Sequence, residues 1–318
     1  MQSKEQALPQ SRHFRLQQLA GGVYAAIATE GAGAMANAGI IDLGDRTLVF
    51  DTFWTPQAAQ DLRAAAEALT GRRVSYVINS HRHGEHVYGN GVFADADIIA
   101  TTRTREMIAV KCTPVIDYVR ANTASYIRSR EEQVDQERDG NRRQQLLLKL
   151  NSDREFAAAM PGFDLRLPNQ TFEARMVFYG AHRSAEVITY GGGHSENDAF
   201  LYIPGARIAF MGDLLAVKTH PAMWDGKPED WVRILQQVEM LDLTTVVPGH
   251  GPVGIGDDLG LMRYYIGELV RITSGIVGGG RSAEEAATRP IPGPFDGWAM
   301  SEVFGRNMRF LHDRLVQG

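Results

Sequence analysis

The amino-acid sequence predicts an α+β fold in which two β-sheets pack face to face between outer helices, a four-layer αββα sandwich. Three observations predict it. Two β-rich stretches occur, each mixed with helical sequence. A long charged segment without β-like runs separates them. The chain also has 318 residues, 44% of them hydrophobic, enough for one large core. We therefore read 1–318 as a single domain interrupted by a helical insertion at about 101–160.

In the first half, Gly22 to Thr29 and Gly39 to Leu43 are apolar and rich in Val, Ile and Ala. Thr47 to Phe50 follows the Gly44-Asp45 turn signal. Pro56 to Leu69 has helical spacing, with Thr55 as N-cap and Pro56 at the first helical position. Val74 to Ile78 reads as a buried strand that runs into Asn79-Ser80-His81. From about Thr101 to Met160 the dense mixed charge predicts two or three helices, most of whose charges form a solvated face. In the second half, Ala174–Tyr179, Glu186–Tyr190, Ala199–Ile203 and Ile208–Met211 read as strands. A helix over Pro228–Leu241, a strand over Thr244–Val247 and helices over Asp258–Thr273 and Trp298–Leu315 complete the chain.

Composition narrows the function. The net charge of −5 provides no footprint for nucleic acid. The single cysteine, Cys112, rules out an internal disulfide framework and a cysteine-based zinc cluster. The polar first residues carry no apolar core of a secretory signal, and no run of about 18 apolar residues is present. The expectation is a cytoplasmic protein with no membrane partner.

The densest chemical signal is Ser80-His81-Arg82-His83-Gly84-Glu85-His86, at the end of a predicted strand. Imidazole is a good neutral metal ligand and carboxylates complete such sites. Histidines at i and i+2 can converge on one metal from a loop, leaving Glu85 and His86 to face a second. An exposed polar loop with incidental histidines is the bland alternative, and it explains four ligand-type side chains at this density poorly. Three weaker signals follow at predicted strand ends: His194 after Gly191-Gly-Gly, Asp213 in Met211-Gly-Asp-Leu, and His250 in Pro248-Gly-His-Gly-Pro252. Together they give five of the nine histidines a shared purpose.

The order HxHxEH, GH, GD, PGHG resembles the metallo-β-lactamase superfamily, whose usual first motif is HxHxDH. The resemblance spans roughly Gly22 to Pro252 and includes the Phe50-Asp51-Thr52 turn. It implies the metallo-β-lactamase fold and two metal sites. His81, His83 and His194 would hold one ion; Glu85, His86 and His250 would hold the other; Asp213 would bridge them. Asp51 resembles the acid that orients ligands from behind in that family; the alternative is a simple turn cap. Glu85 is the departure, because its extra methylene alters the second site. Zinc is expected, with iron, manganese or a singly occupied site as alternatives.

By the same resemblance the chain is expected to hydrolyse a small-molecule ester, lactone or amide with a metal-bound hydroxide, Asp213 and Glu85 being the catalytic acids, with weak side activity on β-lactams. Zinc β-lactamases of the best-known subclass carry Cys where this chain has Asp213. A phosphodiesterase or nuclease, an iron-dependent oxidoreductase and a non-catalytic metal-binding scaffold are the rivals. Met35 in the glycine-rich loop Glu30–Ala36, Tyr88, His220 and Trp224 are candidates for a substrate pocket, with core packing the bland reading for Tyr88. His182 is expected at a strand edge, and His13 and His312 on the surface. The insertion offers a face for a homodimer.

Overall fold

The computed structural model describes residues 7–317. The first sheet begins with β1 (Phe14–Ala20), β2 (Val23–Ala28), β3 (Ala38–Asp42) and β4 (Thr47–Phe50). Helix α1 (Pro56–Thr70) leads to β5 (Val74–Ile78), the short α2 (Gly84–Val87) and β6 (Asp97–Thr101). Four helices follow, α3 (Thr102–Met107), α4 (Thr113–Ala121), α5 (Thr123–Gln136) and α6 (Gly140–Ala159), before β7 (Gln170–Phe172) closes the sheet. The second sheet contains β8 (Arg175–Tyr179), β9 (Ser184–Gly191), β10 (Asp198–Ile203), β11 (Ile208–Phe210) and, after α7 (Pro228–Glu239), β12 (Thr245–Val247). Helices α8 (Asp257–Gly278), α9 (Ala283–Ala287) and α10 (Ser301–Gln317) end the described chain.

Strand order is β1 to β7 in the first sheet and β12-β11-β10-β9-β8 in the second. The two-residue side-chain period then builds the layers. In β3, Ile41 points between the sheets while Ala38 and Ile40 face α1, against Ala58, Leu62 and Ala65. In β10, Ala199, Leu201 and Ile203 face the inter-sheet core while Phe200 packs toward α7 and α8, with Trp231 and Tyr265. Three apolar layers separate four structural ones, as the sequence predicts. Helix α1 also starts as expected: Thr55 accepts from the backbone N–H of Ala58 at 3.2 Å, with Pro56 in its first turn.

Strands β1, β6 and β7 and helix α9 were not anticipated. β1 is a mostly exposed edge strand laced with Arg15, Gln17 and Gln18, so its apolar alternation is weak. β7 has three residues and α9 five, too short for a period to register. The insertion has four helices rather than two or three, because a π-helical turn at Ile108–Cys112 divides α3 from α4 and the chain breaks at Asn122 and again between Gln136 and Gly140. It has its own apolar cluster, in which Ile108, Cys112, Ile116 and Phe156 pack with Val87 and Tyr88 beside the first histidine motif.

This architecture places the motifs at one end. β4 pairs parallel with β5, and β11 pairs parallel with β12, so Asp51, His81, Asp213 and His250 all leave the C-terminal ends of their strands. Backbone bonds join the sheets there: Ala199 N–H donates to the Ser80 carbonyl at 2.8 Å, and Asn37 N–H to the Gly249 carbonyl at 2.8 Å.

Candidate metal centre

Asp213 is the point of convergence. Its Oδ1 lies 3.2 Å from His86 Nε2. Its Oδ2 lies 3.3 Å from His194 Nε2, 3.4 Å from His250 Nε2 and 3.8 Å from His81 Nε2. His83 Nδ1 lies 3.1 Å from His194 Nε2. Two sets form, His81, His83, His194 and Asp213, and Glu85, His86, Asp213 and His250, the ligand atoms in each within 4.8 Å of one another. Glu85 thus reaches its set despite the longer side chain.

Glycine makes room for this meeting. A Cβ on Gly249 would sit 1.9 Å from Asp213 Oδ1, so no other residue fits beneath the carboxylate. Gly212, at φ +51°, turns the chain next to Ser80 so that Asp213 faces the histidines.

The imidazoles are aimed from behind. Asp51, fully buried and at φ +60°, accepts from Ser80 N–H and from Ser80 Oγ–H, each at 2.8 Å. It also accepts from His86 Nδ1–H at 2.7 Å, which leaves Nε2 toward Asp213. Ser80 Oγ in turn accepts from His81 Nδ1–H at 3.0 Å. One carboxylate therefore sets the ring faces of two histidines, directly and through a serine. Asp198 does similar work for the loop that carries His194, accepting from the backbone N–H groups of Gly193, His194 and Ser195. Ser80 and Asp198 lie inside the motif stretches but carried no assigned role; only their proximity to ligand-type residues pointed to them.

The electrostatics are those of ionised acids among imidazoles. Burial would raise the Asp213 pKa, but His250, His86 and His194 hold it well below the usual carboxylate range. Burial likewise opposes ionisation of Glu85, and His83 and His86 outweigh it. Burial, reinforced by His86 and His83, pushes His81 well below its ordinary value, so this ring is neutral. Burial also disfavours charge on His86, yet Asp213 and Asp51 overcome it and hold its pKa well above the ordinary range. The Nε2 atoms of His81 and His86 and Oδ1 of Asp213 are buried without a hydrogen-bond partner. Nitrogen and oxygen atoms converging without hydrogen-bond partners on one small volume fit a metal ion by donor chemistry, the ion taking the place of the proton that the two carboxylates favour on His86.

The pocket candidates are less concentrated. Tyr88 is buried and stacks on Phe156 at 5.2 Å, beside Trp54. Met35 is half-buried at φ +68°, in a loop fastened by Gly33 N–H to Ser152 Oγ at 3.2 Å. Trp224 is partly exposed beneath the Arg306 guanidinium, 4.0 Å from its ring. His220 is not among the groups that meet at Asp213. It is buried among Tyr265, Trp298 and Phe304, with Nδ1 2.9 Å from the Tyr265 hydroxyl. His13 is buried rather than on the surface, bonded through Nδ1 to the Ala32 carbonyl, because β1 pairs along β2 and brings it under the Glu30–Ala36 loop. His312 is half-buried, 3.0 Å from the Arg281 carbonyl. His182 is exposed in the turn joining β8 to β9.

Two sheets in an αββα sandwich, with a histidine and aspartate cluster able to bind metal at the strand ends, define a metal-dependent hydrolase-like fold. The chain belongs to the metallo-β-lactamase superfamily, whose family model matches residues 31–250. Among solved structures it is similar to a metallo-β-lactamase from Pontibacter korlensis, with a TM-score of 0.59 and 15% identity over 80% of this chain and 98% of that one. A metallo-β-lactamase from Hirschia baltica gives a TM-score of 0.57 and 15% identity over the same shares. At that identity the likeness shows the shared fold. No curated protein matches the chain.

Proposed function

We propose that the protein is a metal-dependent hydrolase with a two-metal site that cleaves an ester, lactone or amide of a small molecule. The observation that carries this reading is the set of buried, unpartnered imidazole and carboxylate atoms around Asp213. Leaving one such atom without a partner costs about 1–3 kcal/mol, and a bound cation offsets that cost. His81, His83 and His194 would hold one ion and Glu85, His86 and His250 the other, with Asp213 shared. Zinc suits this nitrogen and oxygen donor set, and iron and manganese also accept it. Such ions supply an activated water at neutral pH and polarise the scissile carbonyl. The chain's own contribution is placement. Asp213 stays ionised between the two ligand sets, positioned to orient the attacking water, and Asp51 and Ser80 keep the imidazoles from turning. Glu85, also held ionised, completes the second set. The net charge of −5 favours a small substrate over nucleic acid.

The test is metal analysis of the purified protein, with a hydrolysis screen over lactones, esters, β-lactams and phosphoesters before and after chelation. Uptake of up to two equivalents, activity lost on chelation and regained with metal, and a fall of about 10³-fold or more in kcat/KM for Asp213→Ala are expected. Full-rate hydrolysis by metal-free protein would end the proposal.

A further inference from the structure

Two of the ligand-type histidines are oriented from inside the protein, and one is oriented from its rim. His81 and His86 lean on Ser80 and Asp51, both buried. His83 instead has Nε2 3.0 Å from Oδ2 of Asp225, whose side chain is 32% exposed. Asp225 lies in the loop between β11 and α7, in none of the motifs of the sequence. The same Oδ2 accepts from Arg82 at 2.8 Å, and Arg82 also donates to Glu196 at 2.7 Å. One guanidinium therefore ties together the loops that carry His83, His194 and Asp225.

From this geometry we propose that Asp225 is a positioning residue that fixes which nitrogen of His83 faces the metal centre, with Arg82 holding Asp225 in place. A carboxylate can only accept, so Nε2 of His83 carries the proton and Nδ1 keeps its lone pair toward His194. Without Asp225 the ring can flip or change tautomer, because among the described residues no other side chain accepts from Nε2. Of the ligand-type residues only His83 bonds to Asp225, whereas in the set of Glu85, His86 and His250 it is Asp51 that orients His86. The inference rests on the reading of these residues as metal ligands.

Two measurements test it. Calorimetric titration of metal-free protein with Zn²⁺ should show one of two binding steps weakened about 10- to 100-fold in Asp225→Ala, the other step unchanged. Asp225→Asn should recover most of the loss, since its Oδ1 still accepts from Nε2–H. In parallel, ¹⁵N shifts of the metal-free protein should show His83 protonated at Nε2 in the parent and as a tautomer mixture in Asp225→Ala. Unchanged titration steps and an unchanged tautomer overturn the proposal, as does equal weakening of both steps. Failure of the parent to bind metal would instead sink the reading of the site as a metal centre, and the tautomer measurement would still decide the role of Asp225.

Discussion

His81, His86 and His194 beside Asp213 are as buried as His220 and differ from it in what they face. Around Asp213, rings from three loops meet that one carboxylate in front, and Asp51 stands behind His86. His220 faces a phenol and aromatic rings, and no carboxylate is among its contacts. Burial alone therefore does not make a histidine a ligand. His220 also has Nε2 without a hydrogen-bond partner and Nδ1 against the Tyr265 hydroxyl, so what separates the two regions is the carboxylate that the ring nitrogens meet around Asp213.

The comparison can be broken most severely at Gly249. In Gly249→Ala the new Cβ overlaps Asp213 Oδ1, which must move by an ångström or more or abandon its place. Displacement on that scale costs about 10²-fold in activity, and metal affinity should fall with it. Wild-type kcat/KM in this variant would show that the position of Asp213 is not what matters. Asp51→Asn should act more mildly. Asn tolerates the left-handed backbone at this position, but the amide loses the charge behind His86. Metal affinity should drop about 10- to 100-fold by equilibrium dialysis with the fold retained by circular dichroism. Equal affinity in the two proteins would reduce Asp51 to a turn cap.

Much of this contrast was legible in the sequence, for a physical reason. Ligand-type residues at strand ends sit where parallel strands deliver their loops, so motif order and strand reading together bring His81, His83, Glu85, His86, His194, Asp213 and His250 to one place. The alternation in β3 and β10 made both sheets visible, whereas β1 hid behind polar edge residues. What could not be read were contacts set by tertiary folding. Asp225 meets His83 across 142 positions and lies in no motif. His220 follows Asp213 by only seven positions, yet the chain carries it into the aromatic cluster of α8 and α10. Nearness along the chain misled there, because a short loop can cross from one layer of the sandwich to the next.

His220 also gives the comparison its smallest test, one of stability rather than catalysis. Burial without a countercharge pushes its pKa from the ordinary 6.5 down to about 4. The unfolded chain therefore binds a proton that the folded chain refuses between those values. The native state has its full stability at this site above pH 6.5 and loses it as pH falls toward 4. At pH 5 the loss from this residue is about 2 kcal/mol. His220→Gln removes the titrating ring while leaving an amide for the Tyr265 hydroxyl. The variant should be less stable at pH 8 from poorer packing, but its urea midpoint should fall less than the parent's between pH 7 and pH 5. Parallel midpoint curves in the two proteins would mean that His220 charges in place, and that an aromatic cage without a carboxylate accommodates the cation after all.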